Sequence, residues 1–148
     1  MLSNRLVLVI GSNGFIGTHI IGYLKKNLVD YVAISRKNCN LLSLSEVNHC
    51  LAPFKKRRLD IIFAASVVRR KQDSKSTLKD NILMASNFIQ STSNHNINSV
   101  IFLSSVDVYY NNNLILKESS YVYPINYYGI AKLCSEAMLE RAFNKKLT

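Results

Sequence analysis

The sequence predicts an open α/β protein built on a doubly wound parallel sheet. Three observations carry this expectation. Residues 5–10, Arg5-Leu6-Val7-Leu8-Val9-Ile10, form an unbroken run of the kind that fills the middle of a sheet covered on both faces. That run passes directly into Gly11-Ser12-Asn13-Gly14-Phe15-Ile16-Gly17, after which Ile20, Ile21 and Leu24 continue an apolar stripe begun by Phe15 and Ile16. Further short apolar runs then alternate with helical patterns along the chain, which is the order of a parallel sheet with crossover helices.

The first turn sets the expected chemistry. A helix start offers unpaired N–H groups and a partial positive charge, and glycines let a phosphate come close to the backbone. Gly17 removes a side chain where the helix must lie against the strand. Gly11, Asn13, Gly14, Phe15, Ile16 and Gly17 are therefore the expected contacts of a dinucleotide pyrophosphate.

The second strand is expected at 31–35 and ends at Arg36-Lys37. An acid near this point would hold the adenosine ribose, whereas an arginine suits a 2′-phosphate. No acid occurs between Asp30 and Glu46, so Arg36 points to NADP rather than NAD. Ser43 and Glu46 have capping-box spacing, and Pro53 closes the short helix that they open. The third strand, 59–65, ends in Ala64-Ala65-Ser66. Small residues there admit a flat ring or a ribose, or they simply pack the strand end; both readings stand.

A helix over 76–90 places Leu78, Asn81, Ala85 and Phe88 on one face, so Asn81 is buried and must be hydrogen-bonded. It serves the backbone nearby or supports a catalytic group. A polar loop at 94–98 leads to the fourth strand, 99–104, which delivers Ser105 to the sheet's carboxyl edge. A longer loop through Asn111-Asn112-Asn113 passes Pro124 into a last helix over 126–143.

Composition narrows the possibilities. The chain has 148 residues, 48% hydrophobic and 19% charged, as a single soluble domain over 1–148 would have. No apolar run approaches the roughly 20 residues that cross a bilayer. Residues 1–10 lack the basic start and cleavage site of a signal peptide. Cys39, Cys50 and Cys134 form no CxxC pair, which fits thiols in a reducing cytoplasm, and His19, His49 and His95 share no metal-ligand spacing. The net charge of +10 gathers in Lys55-Lys56-Arg57-Arg58 and Arg69-Arg70-Lys71. Such clusters make a solvated face, or bind nucleic acid with steep salt dependence, although no nucleic-acid motif accompanies them. Arg69-Arg70-Lys71 follows a strand at the ligand-binding end of the sheet and is a candidate for substrate or cofactor phosphate.

Proton chemistry is expected on the last helix. Tyr128 and Lys132 stand four apart, hence on one face. A phenol is a weak acid at neutral pH, and a neighbouring ammonium favours its ionised form. Ser105, at the end of the adjacent strand, is placed to hold the substrate oxygen.

With these residues in view, the chain resembles the extended short-chain dehydrogenase/reductase family, in particular its nucleotide-sugar epimerase, dehydratase and reductase members. The resemblance rests on Gly11, Gly14 and Gly17, on Asn40-Leu41, Ala64-Ala65 and Asn81, on residues 104–109 and on Tyr127-Tyr128-Gly129-Ile130-Ala131-Lys132. It implies a Rossmann-like fold, an NADP or NAD cofactor and hydride transfer at a sugar carbon of a nucleotide-sugar. Tyr128 would be the general acid/base, Lys132 would bind the nicotinamide ribose and tune Tyr128, Ser105 would orient the sugar oxygen, and Asn81 would complete the tetrad. Asn40 and Leu41 would stand at the adenine. By analogy alone the resemblance extends to surface-polysaccharide synthesis in the cytoplasm, and it leaves homo-oligomers open.

The chain also departs from the family. Val106-Asp107 replaces the Asp-Glu pair of the dehydratases, so water elimination lacks its acid, and Tyr110 replaces a glycine. Family members run to about twice this length. A cofactor half without the substrate lobe is therefore expected, as a fragment of an enzyme or a truncated product, with a silent dinucleotide-binding module as the alternative. The expected strand order is 2-1-3-4. The fourth strand would then be an unpaired edge if nothing followed it, and the isolated chain would be poorly soluble, oligomeric or partly unfolded.

Overall fold

The computed structural model describes residues 4–68, 73–110 and 115–148. Arg69-Arg70-Lys71 and Asn111-Asn112-Asn113 lie outside the described residues. The elements are β1 (Arg5–Ile10), α1 (Phe15–Lys26), β2 (Tyr31–Ile34), α2 (Leu44–Leu51), β3 (Arg58–Phe63), α3 (Lys75–Thr92), β4 (Asn96–Phe102) and α4 (Tyr127–Phe143). The strands form one parallel sheet in the order β2-β1-β3-β4, as the sequence predicts. The chain steps outward from β1 to β2 and then back past β1 to β3. Right-handed crossovers therefore put α1 on one face and α2 and α3 on the other. The reversal leaves a crevice at the carboxyl ends of β1 and β3, where open α/β sheets bind ligands.

The core follows from the apolar runs. Leu8, Ile10, Ile61, Phe63 and Val100 from the sheet meet Phe88 of α3, all essentially without exposure. The rings of Phe63 and Phe88 pack edge to face at 5.2 Å, a favoured aromatic geometry. One part of the predicted stripe on α1 is corrected. Phe15 and Ile16 are 83% and 52% exposed, because the helix's first turn projects beyond the end of β1. The buried positions are Gly17 and Leu24.

The fourth strand begins earlier than its polarity predicts. Asn96 pairs with Arg58 and Ile97 with Leu59, and a bulge at Leu59/Asp60 precedes the pairing of Asp60 with Ser99. The polar residues read as loop because they serve a buried carboxylate inside the sheet. Asp60 Oδ1 accepts hydrogen bonds from Asn98 Nδ2 at 2.6 Å and Ser99 Oγ at 2.5 Å, and Oδ2 takes the Arg5 guanidinium.

Burial pushes the Asp60 carboxyl upward, but bonds from Arg5, Ser99 and Asn98 together hold it below its usual value of 3.8. Because the folded state prefers the carboxylate, this contribution is complete above pH 3.8 and is lost as pH falls through the lower folded value. Asp60→Ala leaves those donors without their acceptor and should cost about 1–3 kcal/mol. Thermal melts should show wild type losing its margin over the variant below pH 3.8; parallel melting at all pH values would contradict the assignment.

β4 is the edge strand of the sheet, as expected, and part of its outer edge is covered by the last residues. Leu147 runs parallel to Val100. Thr148 N donates to Val100 O at 2.8 Å, and Phe102 N donates to Thr148 O at 3.0 Å. In the basic cluster, Arg57 pairs with Asp30 at 2.5 Å and Arg58 bonds Asn98. Both lie at the amino ends of the strands, away from the glycine turn. Among the described residues, no helix is long and apolar enough to cross a membrane.

Candidate functional site

The glycine turn is shaped by close backbone approach. Gly11 has φ +90, and a Cβ there would lie 2.6 Å from Ala65 N, so the turn leans directly on the end of β3. At Gly17 a Cβ would overlap the Gly11 carbonyl oxygen and come within 2.9 Å of Ser12 Cα. The helix that follows differs from its neighbours in one respect. Ser43, Ser74 and Asn126 cap α2, α3 and α4 through their side chains, at Glu46 N, Thr77 N and Gly129 N. Gly14 at the start of α1 offers no side-chain cap, and the first turn holds no acid. Its N–H groups are left for an anion.

These groups open into a cleft of about 450 Å³ over the carboxyl ends of β1 and β3. Of the predicted cofactor contacts, Gly11, Asn13, Gly14, Arg36, Asn40, Leu41, Ala64 and Ala65 all line it. Gly17 lies buried beneath the turn, while Phe15 and Ile16 carry their side chains into solvent and are not among the residues that line the cleft. Arg36 and Lys37 are exposed on a tight turn. Asn38 builds that turn by accepting from Ser35 N at 2.7 Å and donating to Ala33 O at 3.0 Å. Among the described residues, no carboxylate pairs with Arg36. On the far wall Asn87 of α3, itself buried, donates to Leu41 O at 2.9 Å. Cys39 also lines the cleft as a buried free thiol. Interaction with the Cys50 thiol pushes Cys39 up and lowers Cys50 to about 7 against the opposing effect of burial.

Three of the four predicted proton-transfer residues, Asn81, Tyr128 and Lys132, gather beside Ser66 at the edge of this cleft, and Ser105 opens the turn that follows β4. Asn81 is 4% exposed. Its amide nitrogen donates to Val67 O and Thr77 O, both at 2.9 Å, and its oxygen accepts from Val67 N at 2.9 Å and Ser66 Oγ at 3.0 Å. Ser66 lines the cleft and lies 3.4 Å from the Tyr128 hydroxyl. Lys132 is 3% exposed and donates to Leu103 O at 2.7 Å. Its ammonium stands 4.6 Å from the centre of the Phe102 ring and 5.8 Å from that of Tyr128. Burial lowers the Lys132 ammonium to about 8, against a weaker upward pull from Glu136. Ser105 donates to Asp107 Oδ2 at 3.3 Å and accepts from Asp107 N at 3.2 Å.

Three contributors were not among the residues predicted for the site. Ser66 reads as one more small residue at a strand end. Asp73 receives Tyr127 N at 2.7 Å and Tyr128 N at 3.2 Å, pinning the start of α4 from more than fifty positions away; nothing local announces that contact. Asn126, by contrast, could have been found from the preference of asparagine for helix caps. It also donates to Asp107 Oδ1 at 3.3 Å, joining the cap of α4 to the Ser105 turn.

A parallel sheet reversing at β1, an uncapped helix start after glycines and a cleft across the strand ends define a dinucleotide-binding protein of the Rossmann type. The model of the NAD dependent epimerase/dehydratase family matches residues 7–146. The chain belongs to that family. Solved structures agree in fold. A UDP-N-acetylglucosamine 4-epimerase from Bacillus cereus superposes with a TM-score of 0.79 at 20% identity, over 96% of this chain and 56% of its own. A dTDP-4-dehydrorhamnose reductase from Bacillus anthracis, solved with NADP, gives 0.80 at 19% identity, over 99% and 52%. A UDP-glucose 4-epimerase from Thermus thermophilus, solved with NAD, gives 0.78 at 18% identity, over 96% and 53%. The chain thus spans about half the length of these neighbours. No curated protein sequence matches it at a significant level.

Proposed function

We propose that residues 1–148 supply the cofactor-binding and proton-transfer part of an NADP(H)-dependent epimerase or reductase acting on a nucleotide-sugar. The observation that carries this reading is a single cleft. It runs from Arg36, past the uncapped start of α1, to Ser66 within 3.4 Å of the Tyr128 hydroxyl. Two ends of one elongated ligand are thereby addressed by different chemistry, cationic at one and proton-exchanging at the other.

In this reading the first-turn N–H groups of α1 hold the pyrophosphate, and Gly11 and Gly17 let it approach. Arg36 and Lys37 meet a 2′-phosphate, while Asn40 and Leu41 stand at the adenine. A bound nicotinamide supplies or accepts the hydride. Tyr128 gives the proton to a sugar oxygen or takes it away, and Lys132 holds positive charge beneath that ring. Ser105 orients the same oxygen. With its own proton turned to Asp107, Ser105 Oγ presents a lone pair, which suits a sugar hydroxyl; a carbonyl would require the hydroxyl to rotate. The reaction side of the proposal draws on the family and on the names of the structural neighbours, which are those of nucleotide-sugar epimerases and a reductase.

Arg36 offers the direct test of cofactor choice. A guanidinium binds phosphate through paired charged hydrogen bonds. NADPH should bind about tenfold more tightly than NADH, a difference of about 1.4 kcal/mol. Arg36→Ala should remove most of it. Fluorescence titrations giving equal affinities, or a preference for NADH, would count against the assignment. Binding without any turnover of a nucleotide 4-ketosugar by the full-length protein would leave only a dinucleotide-binding module.

A further inference from the structure

The hydrogen-bond directions around Asn81 determine what Ser66 can do. The Asn81 amide cannot be turned over, because its nitrogen donates to two carbonyls, Val67 O and Thr77 O, while its oxygen receives Val67 N. A flipped amide would set N–H against N–H and carbonyl against carbonyl. Ser66 therefore meets an atom that only accepts, and its single proton is committed to Asn81 Oδ1 at 3.0 Å. The Tyr128 hydroxyl oxygen, 3.4 Å away, is a second acceptor within reach of the same Ser66 proton. While that proton lies on Asn81, Ser66 faces Tyr128 with a lone pair.

This arrangement suits the protonated phenol alone. When the Tyr128 O–H bond breaks and its proton passes to a substrate oxygen, two acceptors would face each other. Ser66 has a ready alternative: rotation about its Cβ–Oγ bond turns its proton from Asn81 to the phenolate. Asn81 Oδ1 keeps the Val67 N–H, so nothing buried is orphaned by the turn. Ser66 keeps its proton throughout, and no bond to it forms or breaks. A hydrogen bond to an ionised oxygen is stronger than one between neutral groups, so the turn favours the phenolate.

We propose that Ser66 is a positioning residue for Tyr128, a two-position hydroxyl hinged on Asn81 that follows the loss and gain of the tyrosine proton. The proposal rests on the assignment of Tyr128 as acid/base. It also assigns Asn81 its purpose at the site: the amide acts on Tyr128 through Ser66, not directly. Other charges surround Tyr128. Lys132 lies on its own helix, Asp73 receives its backbone N–H from the segment before α3, and Asp107 adjoins Ser105. All three are unchanged in a Ser66 variant, so a difference between variants reports the serine.

The test compares Ser66→Ala and Ser66→Thr with wild type in the full-length protein, using tyrosine labelled with carbon-13 at Cζ. The Tyr128 resonance is identified by its absence in Tyr128→Phe. In Ser66→Ala the resonance should move toward the phenolate position at higher pH than in wild type, and Ser66→Thr, which keeps a hydroxyl, should restore the wild-type pH. Turnover in Ser66→Ala should fall about tenfold, the worth of one hydrogen bond, with NADPH affinity within a few-fold. An unchanged titration in Ser66→Ala, with fold and cofactor binding intact, overturns the proposal. Equal behaviour of the Ala and Thr variants overturns it as well. The resonance is read without turnover, so failure of the reaction assignment, seen as full activity in Tyr128→Phe, is distinguishable from failure of the serine hinge.

Discussion

Tyr128→Phe should lower turnover of a nucleotide 4-ketosugar with NADPH by about 10²–10⁴-fold, the usual worth of a positioned general acid or base. The reason is local. Among the groups around Tyr128, the amide of Asn81 is not acidic and keeps both its protons on carbonyls, and Lys132 is buried against Leu103 O. Ser66 is engaged with Asn81 and Ser105 with Asp107. The phenol is the group with an exchangeable proton and a half-exposed position. Its loss removes little from the grip on the dinucleotide, so NADPH affinity should stay within a few-fold. Rates near wild type in the purified variant would sink the assignment. A parallel collapse of cofactor binding would place Tyr128 in a structural role instead.

Gly17→Ala should have an effect of similar size by an opposite route. The new Cβ would overlap the Gly11 carbonyl oxygen and press on Ser12 Cα, both backbone atoms that cannot swing aside as a side chain could. Relief requires α1 to move off the turn, at about 1–3 kcal/mol for an overpacked site. It also moves the N–H groups on which a pyrophosphate depends. Melting temperature and NADPH affinity should fall together. Gly22→Ala is the control. It lies on the same helix with nothing within 4 Å of its added methyl, and should be neutral or stabilising by about 0.5–1 kcal/mol. If both variants bind NADPH like wild type, the close-approach argument fails.

These residues also show what a sequence can and cannot announce. The strand, glycine turn and helix at 5–26 were legible because each signal is local and each needs the others. The sheet order followed from handedness and the position of the turn. Asn98 misled because its polarity is satisfied by Asp60 across a strand pairing, a partner the sequence does not place nearby. Phe15 and Ile16 misled for a related reason: hydrophobic periodicity cannot tell a buried turn of helix from one projecting past the sheet. At the proposed site, Tyr128, Lys132 and Ser105 are the residues that spacing and resemblance single out. Ser66 and Asp73 are not among them, since their importance lies in partners 62 and 55 positions away.

The two buried amides of α3 have a metrical consequence. Asn81 grips Val67, next to Ser66 in the wall of the cleft, and Asn87 grips Leu41, which also lines it. They lie on one helix, separated by about 9 Å of axial rise at 1.5 Å per residue. Two loops that leave different strands are thus referred to a common rigid ruler rather than to each other. The spacing of the two loops along the cleft is set by the pitch of α3, which reaches the cleft itself through Met84. Lengthening α3 by a single residue between the two asparagines would rotate one grip about 100° away from its loop, and the gauge would be lost.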